Sequence, residues 1–128
     1  MQLSFEQDDA AKRIRGAFRL GAEYQGGAGF IHGGIIATVL DEAMGKVARF
    51  RDVRAVTAEL SVEYLKPVRV DVDLDVQGYE IKAQGRNLFI EGEIRDGAGQ
   101  LLAHGRGRFV IVGSRATGKG GSESAETK

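Results

Sequence analysis

Only one long stretch of this chain has helical periodicity, and this limits the folds that it can adopt. From residue 33 to about residue 50, apolar side chains repeat on one side of a helical wheel. Strands are predicted at residues 3–7, 13–20, 53–65, 70–76, 87–95 and 101–112. Two strands, one helix and then four strands predict an α+β fold, in which an antiparallel sheet of about six strands wraps around the helix.

The composition is typical of one soluble domain. The chain has 128 residues, so a single domain is predicted over residues 1–113. Residues 114–128 are rich in Gly and Ser, lack aromatic side chains and are predicted to be a disordered tail. The 18 basic and 18 acidic residues balance, so neither nucleic acid nor a membrane is expected as a partner.

Several kinds of site are disfavoured by composition. The chain has no cysteine and two histidines, which argues against thiolate catalysis and against a metal site. No apolar run reaches the roughly 18 residues of a membrane span, and the N-terminus lacks the pattern of a signal peptide. A cytoplasmic location is therefore expected.

The predicted helix carries two adjacent acids with different surroundings. Its apolar stripe comprises Ile36, Leu40, Ala43 and Val47, with Val39, Met44 and Phe50 beside it. Glu42 falls on the opposite side, four residues before Lys46, as in a solvated ion pair. Asp41 lies instead beside small residues such as Gly45 and Ala48. Either it accepts hydrogen bonds from the backbone amides of a neighbouring strand, or it is a partly desolvated carboxylate at the floor of a cleft, and we favour the second interpretation.

The sequence His32-Gly33-Gly34 precedes this helix. Amide groups at a helix N-terminus are free to donate, so Gly33 and Gly34 could stabilise a developing oxyanion. The alternative is that the glycines only permit a tight turn. His32 is more simply explained as a hydrogen-bonded turn residue than as a general base.

The spacing of Gly33 and Asp41 constrains how they could act together. They are eight residues apart, which corresponds to about 12 Å of helix rise. One carbonyl group cannot contact both from the same helix, so a shared site requires Gly33 from one chain and Asp41 from another. This predicts a homodimer with paired sites at its interface.

Three segments resemble one family of enzymes. YQGGAGFIHGGIIATVLDEAMG, VTAELSVEYLKPV and GRNLFIEGEIRDGAGQLLAHGRGRF are similar to segments of hotdog-fold acyl-CoA thioesterases, in the branch that includes the phenylacetate-pathway enzymes. The resemblance implies a hotdog fold, hydrolysis of an acyl-CoA thioester, and no cofactor besides the coenzyme A ester as substrate. It also implies edge-to-edge homodimers, commonly paired into homotetramers, with sites at the dimer interface.

The resemblance also implies roles for individual residues. Asp41 corresponds to the catalytic carboxylate, acting as nucleophile or general base, and Gly33 to the oxyanion donor. Thr57 corresponds to a hydroxyl that orients water or substrate. The acyl group is expected to lie along the helix near Met44.

One position departs from the family's pattern, and the pattern does not fix which residues contact coenzyme A. Asn or Gln often stands six residues before the histidine, where this chain has Gly26, and Gln25 could substitute for it. Cations are expected near the coenzyme A phosphates, with Arg86 and Lys66 as candidates. Two other functions are kept open: a non-catalytic acyl-CoA binding module, and a hotdog hydratase or dehydratase.

Overall fold

The computed structural model describes residues 3–115. Its elements are β1 (Glu6–Asp8), β2 (Arg13–Phe18), a 3-10 turn (Ala22–Tyr24), β3 (Gln25–Gly27), β4 (Phe30–Ile31), α1 (Gly33–Gly45), a 3-10 helix (Lys46–Arg51), β5 (Val53–Tyr64), β6 (Leu74–Gln84), β7 (Asn87–Asp96) and β8 (Leu101–Ser114). Six strands form an antiparallel sheet in the order β1-β2-β6-β7-β8-β5, and β3 pairs with β4. The predicted α+β fold is confirmed.

Helix α1 lies against β5, β6, β7 and β8 and supplies the centre of the core. Its buried residues are Ile36, Val39, Leu40, Ala43 and Met44, and Val47 is buried in the 3-10 helix that follows. This is the predicted apolar stripe. The apolar side chains of α1 meet the inner faces of the strands, so burial of apolar surface fixes which side of the helix faces the sheet.

The helix approaches the sheet closely because glycines occupy the contact points. A Cβ atom on Gly78 would lie 2.9 Å from the Ala43 carbonyl oxygen, which is tighter than packed atoms tolerate. A Cβ on Gly92 would lie 3.0 Å from the Met44 side chain. Glycine in the middle strands therefore sets the distance between α1 and the sheet.

A bulge in β5 changes which side chains face the helix. Thr57 pairs with Phe109 but Glu59 pairs with Arg108, so Ala58 is an extra residue on β5. Before the bulge, Val53 and Ala55 pack against the core, and after it Leu60 and Val62 do so. The alternation thus shifts by one residue, which places both Thr57 and Tyr64 on the helix side of the strand.

Some predicted boundaries differ from the structure. The strand predicted to begin at Val70 begins at Leu74, because Val70 and Asp71 form a turn in which Asp71 has φ +58°. The predicted helix to about Phe50 is α-helical only to Gly45 and continues as a 3-10 helix to Arg51.

The predicted tail begins among the last described residues, where Ser114 still belongs to β8. From residue 116 onward, that tail lies outside the described residues. Within residues 3–115, no helix is both long and apolar enough to cross a bilayer.

Candidate active site

Asp41 and Thr57 meet between α1 and β5. The Thr57 hydroxyl donates a hydrogen bond of 2.7 Å to Asp41 Oδ1. Asp41 is half-buried, and Oδ2 accepts no hydrogen bond within the described residues. The hydroxyl therefore fixes the orientation of the carboxylate and leaves its second oxygen open to a reactant. The strand supplies a side-chain hydroxyl here, not the backbone amides of the alternative interpretation.

The carboxylate opens into a cleft of about 800 Å³ between the C-terminal half of α1 and the first half of β5. Gly45 and Ala48, the small neighbours singled out in the sequence, line this cleft with Asp41 and Thr57. Asp41 therefore lines a cleft, and its catalytic role stays a prediction. Glu42 also lines the cleft, but it is exposed and lies 3.8 Å from Lys46 Nζ, in the predicted ion pair.

The N-terminus of α1 presents one free amide group. His32 caps the helix, and its Nδ1 accepts a hydrogen bond of 2.9 Å from the Gly34 N–H. The Ile35 and Ile36 N–H groups both bond to the His32 carbonyl. Within residues 3–115, no hydrogen bond occupies the Gly33 N–H. Of the first two helical amides, Gly33 is therefore the one available to an oxyanion.

Tyr64 holds the same helix terminus from the other side. Its hydroxyl donates a hydrogen bond of 2.7 Å to the Gly33 carbonyl, and a Cβ on Gly33 would lie 3.4 Å from the ring. Sequence reasoning missed Tyr64 as a site residue, although it lies in the YLKP segment. Tyr64 follows Glu63 in β5, and this position does not indicate the contact, because the bulge at Ala58 sets its direction relative to Thr57.

Gly33 and Asp41 are placed on the same helix, eight residues apart. The rise of α1 separates them by about 12 Å, and each contacts a different part of β5, Tyr64 and Thr57 respectively. Within one chain they do not converge on a common point.

Gly26 has a steric reason to be glycine. A Cβ there would lie 3.0 Å from the His32 Cα and 3.3 Å from its Cβ. The irregular pairing of β3 with β4 brings these backbones together. A larger residue at this position would displace the histidine that caps α1. Gln25 is exposed at the start of β3, and no side-chain hydrogen bond holds it among the described residues.

The other predicted substrate contacts lie away from the Asp41 cleft. Met44 is fully buried and packs on Gly92 and Gly105, so it belongs to the core of this chain. Arg86 lies in the turn between β6 and β7 and donates two hydrogen bonds to the Ile111 carbonyl. Lys66 is exposed and lines a separate cleft beside Arg69 and Phe30.

No metal centre is apparent in the part of the chain that the structure describes. No three His, Cys, Asp or Glu side chains there come close enough together to hold a metal ion. The groups available for chemistry beside Asp41 and at the start of α1 are a carboxylate, a hydroxyl and a backbone amide.

A single helix wrapped by an antiparallel sheet, with an acid in its second half and a glycine-rich N-terminus, defines a hotdog-fold protein. The family model of the thioesterase superfamily matches residues 28–103, which is more than half of the chain. The chain belongs to the thioesterase superfamily, as the resemblance of its segments indicated.

Individual relatives agree with this assignment. The chain is 38% identical over 86 residues to acyl-coenzyme A thioesterase THEM4 of Rattus norvegicus, covering 67% of this chain but only 37% of that protein. A crystal structure of a thioesterase superfamily protein is 30% identical, with TM-score 0.80, covering 84% of this chain and 53% of that one.

A second structure shows the fold at lower identity. It is a hypothetical thioesterase protein from Streptococcus pneumoniae with coenzyme A, 20% identical with TM-score 0.81, covering 89% of this chain and 91% of that one.

Proposed function

We propose that this protein hydrolyses an acyl-CoA thioester to the free acid and coenzyme A. The observation that carries the proposal is the Asp41 carboxylate, fixed by Thr57 through one oxygen and open to a cleft through the other. The relatives give the substrate class: THEM4 is named an acyl-coenzyme A thioesterase, and the Streptococcus pneumoniae structure contains coenzyme A.

The reaction needs an acceptor for the negative charge on the thioester carbonyl. The Gly33 N–H, free and at the positive end of α1, stabilises that oxyanion. If Asp41 acts as general base, it takes a proton from water, whose oxygen then bonds to the carbonyl carbon. The tetrahedral intermediate collapses, the carbon–sulfur bond breaks, and the coenzyme A thiolate takes up the proton from Asp41.

Direct attack by Asp41 is the second route. Its free oxygen forms a mixed anhydride and expels coenzyme A thiolate, and water then hydrolyses the anhydride. Both routes use the same groups, and neither requires a metal or a cofactor. Thr57 orients the carboxylate in each of them.

The distance between Asp41 and Gly33 along α1 requires a second chain to complete the site. Asp41 of one chain and Gly33 of its partner would form each site, so we propose a homodimer with two equivalent sites. Strand β5 supports this arrangement: it has 12 residues, stands at the edge of the sheet and is unpaired along its outer side within the described residues. A long exposed edge is a template for pairing with another chain. Pairing of dimers into tetramers stays a prediction from the resemblance.

The His32 contact argues against the hydratase or dehydratase alternative. Since Nδ1 accepts from the Gly34 N–H, the neutral ring carries its proton on Nε2. It then has no lone pair free to abstract a proton from a substrate. Non-catalytic binding of acyl-CoA stays as the alternative function, and the experiment below separates it from hydrolysis.

The first test measures release of free coenzyme A thiol from a panel of acyl-CoAs. We expect Asp41→Asn to lower kcat by about 100-fold or more, because it removes the base or nucleophile. Glu42→Gln is the matched control, since it neutralises the adjacent acid that pairs with Lys46, and should retain activity. Equal activity in the wild-type protein and both variants would remove Asp41 from the mechanism. Tight binding without turnover by the wild-type protein would instead identify a binding module.

A further inference from the structure

We propose that the Asp41 cleft selects acyl groups that carry a carboxylate at their far end, that is, the mono-CoA thioesters of dicarboxylic acids. This inference rests on the proposed hydrolysis, because it takes Asp41 as the position of the thioester carbonyl. It concerns the other end of the cleft, where arginines without acidic partners gather.

The middle of the cleft suits an alkyl chain. Besides Asp41, Thr57 and the ion pair of Glu42 with Lys46, small or apolar residues line it, namely Gly45, Ala48, Val53, Ala55, Val56, Phe109 and Val112. Phe109 is fully buried beneath, and a Cβ on Gly45 would lie 3.9 Å from its ring. The absence of a side chain at Gly45 thus leaves space above the ring. Transfer of methylene groups from water to this apolar surface would favour binding.

The far end of the cleft is cationic. Arg49, Arg54 and Arg115 line it and are exposed. Arg49 follows Asp41 by eight residues, four in α1 and four in the 3-10 helix, so about 14 Å of rise separates the two. A carboxylate on an acyl chain of medium length, with its carbonyl at Asp41, would reach these guanidinium groups.

These three arginines differ from most others in the chain. Within residues 3–115, their side chains form no hydrogen bond or ion pair. Five other arginines are held by acids, in the pairs Arg19–Asp73, Arg51–Glu80, Arg95–Glu93, Arg106–Glu91 and Arg108–Glu59.

The acids of the cleft are themselves engaged. Asp41 bonds to Thr57 and Glu42 pairs with Lys46. An excess of positive charge therefore gathers at one end of this cleft, although the whole chain has net charge +0. Unpartnered guanidinium groups bind carboxylates with paired hydrogen bonds, which makes a terminal carboxylate a fitting ligand.

Coenzyme A phosphates would supply the same anionic chemistry. We favour the acyl carboxylate because most of the uncharged lining of this cleft is small or apolar, which matches methylene groups better than the amides of pantetheine. The two sources predict different substrate dependences, since phosphates are common to every acyl-CoA and the terminal carboxylate is not.

The test compares suberyl-CoA with octanoyl-CoA, which have equal chain length and differ in the terminal carboxylate. We expect the wild-type protein to prefer suberyl-CoA. Arg54→Gln and Arg49→Gln should each lower kcat/KM for suberyl-CoA by about tenfold or more and change that for octanoyl-CoA by less than about twofold. Arg15→Gln is the matched control, because Arg15 is exposed on β2, far from β5 in the sheet, and lacks a side-chain partner among the described residues.

Two results would overturn the proposal. Equal losses with both substrates, together with weaker binding of free coenzyme A, would assign the arginines to the phosphates. No preference for suberyl-CoA in the wild-type protein would remove the carboxylate subsite.

Binding separates this proposal from the hydrolysis on which it rests. Calorimetry with Asp41→Asn measures the affinity for both esters without turnover. If the wild-type protein hydrolyses neither ester, a preference for suberyl-CoA that is lost on adding Arg54→Gln would still support the subsite, and only the hydrolytic function would fall. Equal affinity for the two esters would overturn the subsite whatever the activity.

Discussion

At the scale of single residues, Gly33 has a free N–H and a backbone conformation that tolerates proline. It is the first residue of α1, and the preceding His32 has φ −61° and ψ 136°. This extended conformation is the one that a residue before proline prefers, and proline is well tolerated at the first helical position. The proposed oxyanion donor can therefore be removed without breaking the helix.

We expect Gly33→Pro to lower kcat by about 100-fold, because it deletes the N–H that stabilises the oxyanion. Gly33→Ala keeps the N–H, and its Cβ would lie 3.4 Å from the Tyr64 ring, an ordinary contact, so it should retain most of the activity. Steady-state kinetics and circular dichroism of both variants give the comparison. Comparable activity in two folded variants would show that the Gly33 amide does not contact the carbonyl.

At the scale of elements, the position of the site depends on how closely α1 lies on the sheet. Gly78 packs against the carbonyl of Ala43, two residues after Asp41. The contact that sets the distance between helix and sheet is therefore next to the Thr57 hydrogen bond that orients Asp41. The 3-10 helix that follows α1 is tied to β6 by two hydrogen bonds from Arg51 to Glu80. The guanidinium of Arg51 lowers the pKa of Glu80, because it donates to the ionised carboxylate.

We expect Gly78→Ala to lower the free energy of unfolding by about 2 kcal/mol, since its methyl group would overlap a backbone oxygen that cannot rotate away. Gly97→Ala is the control: Gly97 has open space around its Cβ position, so a change below about 0.5 kcal/mol is expected. Urea unfolding at one fixed protein concentration measures both, because oligomerisation makes stability depend on concentration. Equal stabilities would show that α1 can move away from the sheet at little cost.

At the scale of the whole molecule, a site shared between chains predicts complementation. A mixed oligomer of Asp41→Asn and Gly33→Pro chains has one kind of site with both groups intact and one with neither. Co-expression with two affinity tags and tandem purification would isolate it. We expect each parent variant to be nearly inactive and the mixed oligomer to recover up to about half of the wild-type activity. If the mixed oligomer is inactive while both parent variants are folded, each site would take Gly33 and Asp41 from the same chain.

Periodicity was sufficient for the parts of this protein that depend on local pattern. The single helix, its apolar stripe with Leu40 and Ala43, and the pair of Glu42 with Lys46 all follow from which side of a helix each residue occupies. The separation of Gly33 from Asp41 follows in the same way, because helix rise is constant. Where a turn depends on one backbone conformation, as at Asp71 with φ +58°, the alternating pattern of Val70 to Val76 predicted a strand that begins too early.

What the tertiary structure alone decided is where β5 meets the helix. The sequence by itself determined that Asp41 stands apart from Glu42 and that glycine amides begin the helix. It did not determine that Tyr64 would hold Gly33, and it suggested Thr57 only through family resemblance. The physical reason is that one extra residue at Ala58 reverses the alternation of the strand. That bulge is fixed by pairing with β8, some fifty residues away, and not by the residues around it.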